Sequence, residues 1–425
     1  MIEKQPSCED EVEPELLPVP VARERLFSSL KRSVQVEDIS LNYAFGRVLA
    51  RDVVSTMNVP SQTNSAMDGY AISAASIPTV GEAHLHLAGT AWAGKPFTGS
   101  VSTGEAIRIF TGAILPTGTD TVVIQEHVRD AGTQVVIDSD VVGGKNVRHA
   151  GEDIELGQSV LVAGRKLEAA DIGVVASLGI TCVTVYRPLK VAYFTTGDEL
   201  RSLSEHIPGE ALPAGMLFDS NRHTLACLLQ SMGVEAIDLG IVRDNENETR
   251  DALEQAARVA DVIVTSGGVS AGEADFVTRV FHELGSVRFW KLAMRPGRPL
   301  AFGSVGDAAF FGLPGNPVAV MVTFLEFVKP AIRYLSGMDE IEPVTLPAIS
   351  ESTLRKPAGR VEYQRGIMRV NGEGRLVVAS TGKQGAGRLS SMSKANCLIV
   401  IDAEVDGVKP GDKVGVQPFH GLLDG

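Results

Sequence analysis

Cysteine and aromatic residues are scarce in this chain of 425 residues, in which aromatic residues make up 5%. The four cysteines form no CxxC pair; they are Cys8, Cys182, Cys227 and Cys397. The sequence therefore favours neither a zinc ribbon nor a disulfide framework, and we expect a reducing, cytoplasmic compartment. His84 and His86 alternate without an HExxH motif, so we interpret them as one face of a strand rather than as a metal site.

Long apolar runs are also missing. The longest uncharged stretch, residues 308–325, is interrupted by Pro314, Pro317 and two glycines. This pattern favours a strand, a tight loop and a helix start over a membrane span. Residues 1–20 are acidic and rich in proline, without an apolar segment, so we expect a flexible tail rather than a signal peptide.

Positive charge is in deficit, because 39 basic against 52 acidic residues give a formal charge of −13. An acidic chain is a poor candidate for non-specific binding to nucleic acid. It can still bind small anions, since glycine-rich loops and helix N-termini do so locally. The 44 glycines exceed the usual share of about 7% and predict many turns. The length predicts about three domains.

Three regions differ in their hydrophobic patterns. Residues 55–147 alternate between apolar and polar positions, with frequent turn signals, and predict a β-rich domain. Residues 189–338 alternate near-continuous apolar strands with helices, which predicts a doubly wound parallel α/β domain. Residues 339–425 return to β alternation and predict a small C-terminal β domain.

Individual elements follow from the same patterns. The predicted helices are 21–34, 169–178, 219–232, 246–260, 274–284 and 317–335. Asp219 or Ser220 is the expected N-cap of the third helix, and Pro330 should kink or break the last one. The strands predicted for the α/β domain are 189–195, 234–242, 261–265, 287–293, 301–303 and 309–313. Those predicted for the C-terminal domain are 344–349, 361–370, 376–380, 397–401 and 413–418.

The strongest local signal is TSGGVSAGEAD at residues 265–275, where an apolar strand gives way to a helix. Its backbone amides and hydroxyls can face a phosphate. The residues concerned are Ser266, Gly267, Gly268 and Ser270. Glu273 and Asp275 add carboxylates, which beside a phosphate imply a bridging Mg²⁺. The alternative is a glycine-rich turn in which Asp275 caps the helix.

Two further acidic positions follow strands of the same predicted sheet. Glu199 lies in TGDEL, after the first strand, and Asp244 follows the strand that ends at Val242. Each alone is compatible with an ordinary turn. Together with Glu273 and Asp275 they would cluster at one edge, which is hard to reconcile with charge repulsion unless a cation is bound.

Basic residues are the expected counterpart of these acids. Lys291, Arg295 and Arg298 lie in WKLAMRPGRP, where the Pro-Gly between the arginines favours a shaped loop over a solvated charge run. Arginine suits bidentate contact with an oxyanion or phosphate. The segment GLPGNP, with Pro314 and Pro317, opens a helix whose free amides suit an anion, although a rigid turn would have the same sequence.

Seven segments occur together in one order. They are NSAMDGYA, FTGAxxPxGxDxVV, AGEDI, TGDEL, TSGGVSxGEAD, WKLAxxPGxP and GLPGNPV. On these segments, the sequence from about residue 21 to the C-terminus resembles the MoeA family of molybdopterin molybdenumtransferases, which includes the matching part of gephyrin-type proteins.

The resemblance implies an enzyme that inserts molybdenum from molybdate into adenylylated molybdopterin, uses Mg²⁺, cleaves the pyrophosphate link and releases AMP. It implies an elongated homodimer with a MogA-like α/β domain, a β-rich inserted domain, a linker domain at 21–54 and 148–188, and a barrel-like C-terminal domain. It also implies transient contact with the molybdopterin adenylyltransferase and with downstream maturation factors of molybdoenzymes. Neither a nucleic acid nor a membrane is expected as a partner.

The resemblance also implies roles for particular residues. Asp68 and Thr111 would enter the cleft from the partner subunit. Mg²⁺ and the phosphates would be held by Glu199, Asp244 and Asp275. The ligand would be cradled by Ser266, Gly267, Gly268 and Ser270. The pterin and molybdate end would be shaped by Lys291, Arg295, Pro314 and Pro317, with Arg360 and Ser391 of the C-terminal domain at the molybdate.

The sequence departs from the family pattern in three features. Arg295 and Arg298 replace the lysines of a usual KPGKP, Ala319 replaces a frequent serine, and the basic run before GED is reduced to Arg148 and His149.

Two other functions stay open. One is a degenerate paralogue that binds ligand as a scaffold without turnover. The other is a related hydrolase of nucleotide pyrophosphates, which would not be expected to carry NSAMDGYA.

Overall fold

A computed structural model describes residues 16–32, 35–268, 280–281, 283–339 and 341–419. Its α-helices are α1 (Val19–Ser29), α2 (Ala169–Ser177), α3 (Ser220–Ser231), α4 (Glu246–Val259), α5 (Pro317–Thr323), α6 (Lys329–Leu335) and α7 (Leu389–Lys394). Short 3₁₀ helices lie at Leu41–Tyr43, Ala74–Ser76, Gln125–His127 and Leu203–Glu205. None of the helices in these ranges is long and apolar enough to cross a membrane.

The strands of the N-terminal half are β1 (Val36–Ser40), β2 (Val53–Val54), β3 (Asn64–Ser65), β4 (Gly69–Ile72), β5 (Glu82–Ala91), β6 (Glu105–Ile109), β7 (Thr121–Ile124), β8 (Arg129–Asp130), β9 (Gln134–Asp138), β10 (Val147–Arg148), β11 (Ser159–Leu161) and β12 (Cys182–Tyr186). Those that follow are β13 (Lys190–Thr196), β14 (Leu200–Arg201), β15 (Leu217–Phe218), β16 (Glu235–Val242), β17 (Val262–Ser266), β18 (Gly285–Lys291), β19 (Met294–Arg295), β20 (Pro299–Val305), β21 (Ala308–Leu313), β22 (Leu346–Ser350), β23 (Val361–Val370), β24 (Leu376–Ser380), β25 (Cys397–Ile401) and β26 (Lys413–Pro418).

Within the β-rich region predicted at 55–147, residues 69–138 form a six-stranded sheet in the order β7-β4-β6-β5-β9-β8. Apolar and polar residues alternate along β5 because its two faces differ in burial, with Leu85 buried between two exposed histidines. His84 and His86 therefore share one face of a strand, as the sequence indicates. We refer to this sheet as the inserted sheet.

The segments on either side of the inserted sheet pair with each other. β1 runs antiparallel to β12, and β2 to β11, so chain that precedes the inserted sheet is joined to chain that follows it. Leu49, Leu167 and Val185 pack together in one apolar core with Val175 of α2. The helix predicted at 169–178 is confirmed as α2, with the side chains of Glu168 and Asp171 forming a capping box.

The α/β sheet has the strand order β16-β13-β17-β21-β20-β18. The first four strands are parallel, but β20 and β18 are antiparallel to their neighbours, so the prediction of a wholly parallel sheet is wrong at this side. The reason is the connection, because only Gly306 and Asp307 separate β20 from β21. A parallel neighbour would need a crossover of a dozen residues or more.

Helices cover both faces of the α/β sheet, which explains the near-continuous apolar strands. In β13, Val191 and Tyr193 face a core shared with α1, α3 and α5, whereas Ala192 and Phe194 face a second core shared with α4. The doubly wound character predicted from the sequence is therefore confirmed. Asp219 is the N-cap of α3, with its side chain accepting a hydrogen bond from the amide of Arg222 at 3.1 Å.

The long helix predicted at 317–335 is interrupted where its proline predicts. α5 passes into a π-helical turn at Phe324–Val328, and α6 begins immediately before Pro330. A proline lacks an amide hydrogen and its ring crowds the preceding turn, and a π-helical turn provides the extra room.

The first helix, α1, begins and ends earlier along the chain than the predicted range of 21–34. α1 ends at Ser29, where the hydroxyls of Ser28 and Ser29 donate to carbonyls of the last turn at 2.9 and 2.8 Å. Before the helix, Leu17 is buried and its amide donates to the carbonyl of Lys291 at 2.8 Å. Chain assigned to the tail is therefore already packed against the α/β sheet. Val34 lies outside the described residues.

The C-terminal strands close into a barrel. β23, β24, β22, β26 and β25 pair in turn, and β25 pairs back with β23. The barrel-like domain predicted from the sequence is thus confirmed. β19 of the preceding segment also pairs with β23, so the basic loop around Arg295 is fastened to the barrel.

Candidate active site

The predicted phosphate-binding segments meet where the strand order of the α/β sheet reverses, between β13 and β17. Ligands of open α/β sheets bind at this point, outside the carboxyl ends of the strands. A Cβ atom added to Gly267 would lie 2.5 Å from the carbonyl oxygen of Thr196, so the loops after the two strands touch. The contact requires glycine at 267, where φ is +97°.

Glu199 is held over the end of β13. Its exposed carboxylate lies so close to Gly197 that an added Cβ would be 2.6 and 2.8 Å from its two oxygens. The backbone of Glu199 accepts a hydrogen bond from the amide of Leu217 at 2.8 Å, which joins β14 to β15. The glycine of TGDEL, with φ of +149°, has a backbone conformation that favours glycine, and any side chain there would displace the Glu199 carboxylate.

Asn221 connects three segments at the carboxyl ends of these strands, a region that we call the sheet edge. Its Nδ2 donates to Ser266 Oγ at 3.0 Å and to the carbonyl of Gly315 at 2.7 Å. Ser266 Oγ in turn donates to the carbonyl of Pro314 at 3.2 Å. The structure thus brings the predicted Ser266 and Pro314 together through a residue that the sequence analysis missed. Its position two residues after the N-cap Asp219, at the sheet edge, was the available signal.

Two polar atoms at this edge have no hydrogen-bond partner in the described part of the chain. They are Thr196 Oγ1 and Asn221 Oδ1, and both are buried. Gly267 and Gly268 lie directly against the hydroxyl of Thr196, with hypothetical Cβ distances of 2.8 and 2.9 Å. Buried polar groups are nearly always satisfied, so these two atoms are candidate contacts for a ligand.

Asp244 lies next to TGDEL at the carboxyl end of β16. Its amide lies 3.3 Å from Asp198 Oδ1, to which it donates, and Arg243 donates to the carbonyl of Asp198. Asp244 and Glu199 are therefore on adjoining strand ends, as predicted. Within the described ranges, no group of three His, Cys, Asp or Glu residues could hold a metal ion. Ser270, Glu273 and Asp275 lie outside the described residues.

The basic loop is shaped, as the Pro-Gly pair predicts. The bond between Arg295 and Pro296 is cis, φ of Gly297 is +96°, and Leu292 donates to the carbonyl of Arg298 at 2.7 Å. Arg298 Nε is buried without a partner in the described part of the chain. Lys291 is half-buried at the end of β18 and Arg295 is exposed. This loop therefore carries three cations close together along the chain, at the carboxyl end of β18.

Arg365 is a buried arginine that the sequence analysis missed. It is 1% exposed, its Nε donates to Ser391 Oγ at 3.0 Å, and its Nη2 donates to the carbonyl of Gly385 at 3.1 Å. Burial lowers the pKa of Arg365 to about 10, Glu362 opposes that decrease, and nearby Arg295 adds to it. The guanidinium is still protonated at neutral pH.

Ser391, predicted by resemblance, is thus contacted by Arg365. Arg360 lies just before β23, and its side chain forms no hydrogen bond within the described residues. A signal for Arg365 was available, because on β23 it shares a face with Val361, Tyr363 and Ile367. A charged side chain on the apolar face of a strand is uncommon unless it is paired.

The turn that contains Pro314 and Pro317 joins the sheet edge to the barrel. On one side its carbonyls accept from Ser266 and Asn221. On the other, the amide of Val318 donates to the carbonyl of Ala386 at 3.1 Å. This amide of the helix start is therefore already occupied, so the anion-compatible terminus predicted from the sequence does not include the amide of Val318. Rigidity of the turn, the other expectation, fits these contacts.

Asp68 and Thr111 form a pair on the inserted sheet. Asp68 Oδ1 accepts hydrogen bonds from the amide and the hydroxyl of Thr111 at 2.8 and 2.7 Å. These two bonds, with a smaller contribution from Arg108, hold the pKa of Asp68 below its ordinary value of 3.8. The carboxylate is exposed and is charged at neutral pH. The two predicted residues are therefore partners, on a different sheet from Glu199 and Ser266.

Known proteins similar to this chain match it along nearly all of its length. The chain is 41% identical to the molybdopterin molybdenumtransferase of Haemophilus influenzae, covering 96% of this chain and 100% of that protein. It is 36% identical to the molybdopterin molybdenumtransferase of a Nostoc species, covering 88% and 87%. A crystal structure of the molybdopterin biosynthesis MoeA protein of Pyrococcus horikoshii superposes with a TM-score of 0.83 at 28% identity, covering 95% and 100%.

Family models match three successive parts of the chain. Residues 17–179 match the MoeA N-terminal region (domain I and II), residues 192–334 a probable molybdopterin binding domain, and residues 347–419 the MoeA C-terminal region (domain IV). The fold, the sheet edge and these matches define the class as a transferase of molybdenum cofactor biosynthesis. Within that class, the chain belongs to the MoeA family of molybdopterin molybdenumtransferases.

Proposed function

We propose that this protein inserts molybdenum from molybdate into adenylylated molybdopterin, with cleavage of the pyrophosphate link and release of AMP. The observation that carries the proposal is the junction between the sheet edge and the barrel. There, polar atoms of Thr196 and Asn221 that have no partner among the described residues lie on one side of the Pro314 turn, and Arg365 lies on the other.

The sheet edge suits the pterin and the phosphates. Thr196 Oγ1 can donate or accept, and Asn221 Oδ1 can accept from the amino and amide groups of a pterin. The amide of Gly268 belongs to a loop with positive φ at both glycines, which lets the backbone approach a phosphate closely. The match of residues 192–334 to a probable molybdopterin binding domain supports the same assignment.

The molybdate end is proposed around Arg365, Ser391 and Arg295. A buried guanidinium beside an exposed one and a serine hydroxyl is the kind of surrounding that a tetrahedral oxyanion needs. Low local dielectric strengthens these interactions. Lys291 and Arg298 would add positive charge from the neighbouring loop, so molybdate would be concentrated next to the dithiolene of the pterin.

Glu199 and Asp244 fit Mg²⁺, because they offer carboxylate oxygens on adjoining strand ends. Mg²⁺ is usually bound through one or two carboxylates together with substrate phosphates, and Asp275 is proposed as a further ligand. When bound, the ion supplies neutralisation of charge on the pyrophosphate. Glu199 is held for this role by Gly197 and by the hydrogen bond from Leu217.

Asp68 and Thr111 are proposed to reach the cleft of a second subunit, in a homodimer. Their pairing on the inserted sheet, away from the sheet edge, supports this arrangement.

The same proposal includes a cytoplasmic location and transient contact with the adenylyltransferase and with maturation factors. It also includes a division into a linker domain (21–54 and 148–188), an inserted domain (55–147), an α/β domain (189–338) and a C-terminal domain (339–425).

A molybdate oxygen is the proposed nucleophile on phosphorus, so that no serine or cysteine nucleophile is required. In this step a P–O bond forms between a molybdate oxygen and the AMP phosphorus, the phosphoanhydride bond breaks, and the phosphate of molybdopterin leaves. The Mo–O bond of that oxygen breaks when the dithiolene sulfurs bind molybdenum, so the oxygen stays with AMP. With ¹⁸O-labelled molybdate, mass spectrometry should find ¹⁸O in the released AMP. Label that stays out of AMP would exclude this step but would leave insertion itself intact.

The deciding experiment is incubation of the purified protein with adenylylated molybdopterin and Mg²⁺, with and without molybdate, followed by chromatographic quantification of AMP. Molybdate-dependent AMP release, abolished in Glu199→Gln, is the expected result. Tight substrate binding without AMP release would favour the scaffold. AMP release at the same rate without molybdate would favour a pyrophosphate hydrolase.

A further inference from the structure

Four side chains of the inserted sheet form a stack that ends in an exposed tryptophan. The Arg108 guanidinium lies 4.7 Å from the ring centre of Tyr70 and 5.5 Å from that of Phe110. Phe110 and Trp92 stack with ring centres 4.0 Å apart and planes 9° apart. Trp92 is nevertheless 51% exposed. One face of the indole is therefore covered by Phe110, and about half of the Trp92 surface remains exposed to solvent.

The stack follows from the strand register. Ala91 pairs with Ile109, so the next residues along the parallel strands, Trp92 and Phe110, lie side by side. Ala91 and Ile109 are fully buried, which puts their successors on the opposite face. Arg108 is also fixed by a hydrogen bond of 2.5 Å to Gln125.

The stack is continuous with the Asp68–Thr111 pair. Thr111 directly follows Phe110, and a Cβ added to Gly112 would lie 3.9 Å from Cβ of Ala93, the residue after Trp92. The amide of Gln125, whose side chain holds Arg108, donates to the carbonyl of Asp68 at 3.2 Å. Trp92 therefore lies at the end of the strand next to β6, and β6 leads directly into Thr111, the partner of the carboxylate that the proposed function assigns to the cleft.

We propose that Trp92, supported by Phe110 and Arg108, is the stacking platform for the adenine of the adenylylated substrate and of the AMP product. This inference rests on the proposed function. That substrate contains two flat ring systems, and the match of residues 192–334 to a probable molybdopterin binding domain assigns the pterin to the α/β sheet. Adenine is the ring system that remains, and aromatic faces stack bases readily.

The test uses AMP as the probe and tryptophan fluorescence as the readout. The sequence has two tryptophans, and the second, Trp290, is 4% exposed. Tryptophan emission is excited at ~295 nm, where adenine does not absorb. An AMP-dependent change in this emission therefore reports on Trp92. AMP should quench the emission, whereas ribose 5-phosphate, which lacks the base, should not. In Trp92→Ala, calorimetry should show roughly 5- to 100-fold weaker AMP binding.

Two variants serve as controls. Trp92→Phe keeps a stacking face and should retain most of the affinity for AMP. Val80→Ala alters another exposed residue of the same region and should bind AMP as the original chain does. Equal AMP affinity in Trp92→Ala, or the absence of AMP-specific quenching in the original chain, would overturn the inference. So would a changed oligomeric state of Trp92→Ala with unchanged AMP binding, because Trp92 would then be a contact between copies. AMP binding is measured without turnover, so its outcome is independent of whether molybdenum insertion is observed.

Discussion

The sheet edge and the Asp68–Thr111 pair carry the two halves of the proposed site, and they differ in how their polar groups are satisfied. At the edge, Thr196 Oγ1 and Asn221 Oδ1 are buried without partners among the described residues. On the inserted sheet, an exposed Asp68 already accepts two hydrogen bonds from Thr111. A buried unpartnered polar group costs about 1–3 kcal/mol, so ligand binding relieves a cost at the edge. The pair, in contrast, is preorganised as an anion before any ligand arrives.

The largest effect is expected at the barrel side of the edge, where Arg365 and Arg360 can be compared directly. Arg365→Met removes a buried cation that contacts Ser391, and molybdate-dependent AMP release should fall by about 100-fold or more. Arg360→Met removes the same charge from a partly exposed position and should cost less. Thermal melts of both variants check folding. A greater loss in Arg360→Met would mean that the residue implied by resemblance, and not the buried one, serves molybdate.

The next effect tests whether the two halves come from different subunits. Asp68→Asn and Glu199→Gln should each be nearly inactive alone. If the sites are shared across a twofold dimer, mixing and re-equilibrating the two variants should restore about a quarter of the original AMP release, because half of the dimers then hold one intact site. Mixtures that stay inactive, although mass spectrometry shows exchanged subunits, would put both halves on one chain.

Gly197→Ala tests how strongly AMP release depends on the position of the Glu199 carboxylate. Positive φ makes the substitution strained by about 1–2 kcal/mol, and the added methyl would collide with the Glu199 carboxylate. AMP release should fall by roughly 10-fold. Gly209→Ala, also at positive φ but with nothing within 4 Å, is the matched control. It should show a similar loss of stability in urea unfolding and nearly full activity, and equal activity losses would refute the positioning role of Gly197.

The smallest effect concerns the ionisation of the pair. Thr111 lowers the pKa of Asp68, so the hydrogen bonds favour folding above the ordinary pKa of 3.8, and this contribution is lost as pH falls through the lowered value. Thr111→Val removes one of the two bonds, and ¹³C NMR of the carboxyl group should show the pKa rising toward 3.8. Thr119→Val, whose hydroxyl bonds a carbonyl, should leave it unchanged. An unshifted Asp68 in Thr111→Val would mean that the backbone amide alone sets its pKa.

The barrel is the part of the fold that was easiest to predict. Four of its strands begin and end where the alternation indicates, at Val361–Val370, Leu376–Ser380, Cys397–Ile401 and Lys413–Pro418. One face of each strand packs inside the barrel, and the other faces outward, so polarity follows the twofold repeat of the strand. Alternation places Arg365 on one face of β23 with Val361 and Tyr363, but it does not say that this outward face is buried against the α/β domain or that Arg365 contacts Ser391.

The α/β sheet shows the complementary limit. Its strands, the helices α3 and α4 and the N-cap at Asp219 are readable because buried strands are apolar throughout and helix starts need a side-chain acceptor. Residues 274–279 of the helix predicted at 274–284 lie outside the described residues. The direction of β20 is not readable in this way. It depends on the length of the connection at Gly306 and Asp307, and on pairing between strands, rather than on the composition of the strand itself.

The sequence by itself determined the element types, the ordered motifs and the family, because periodicity, glycine placement and motif order are properties of neighbouring residues. Only the tertiary structure decided that Asn221 links Ser266 to the Pro314 turn, that Ser391 is held by Arg365, and that Trp92 stacks on Phe110. These contacts join strands and loops that are distant along the chain. Their geometry depends on strand order, register and packing, which no local pattern of residues specifies.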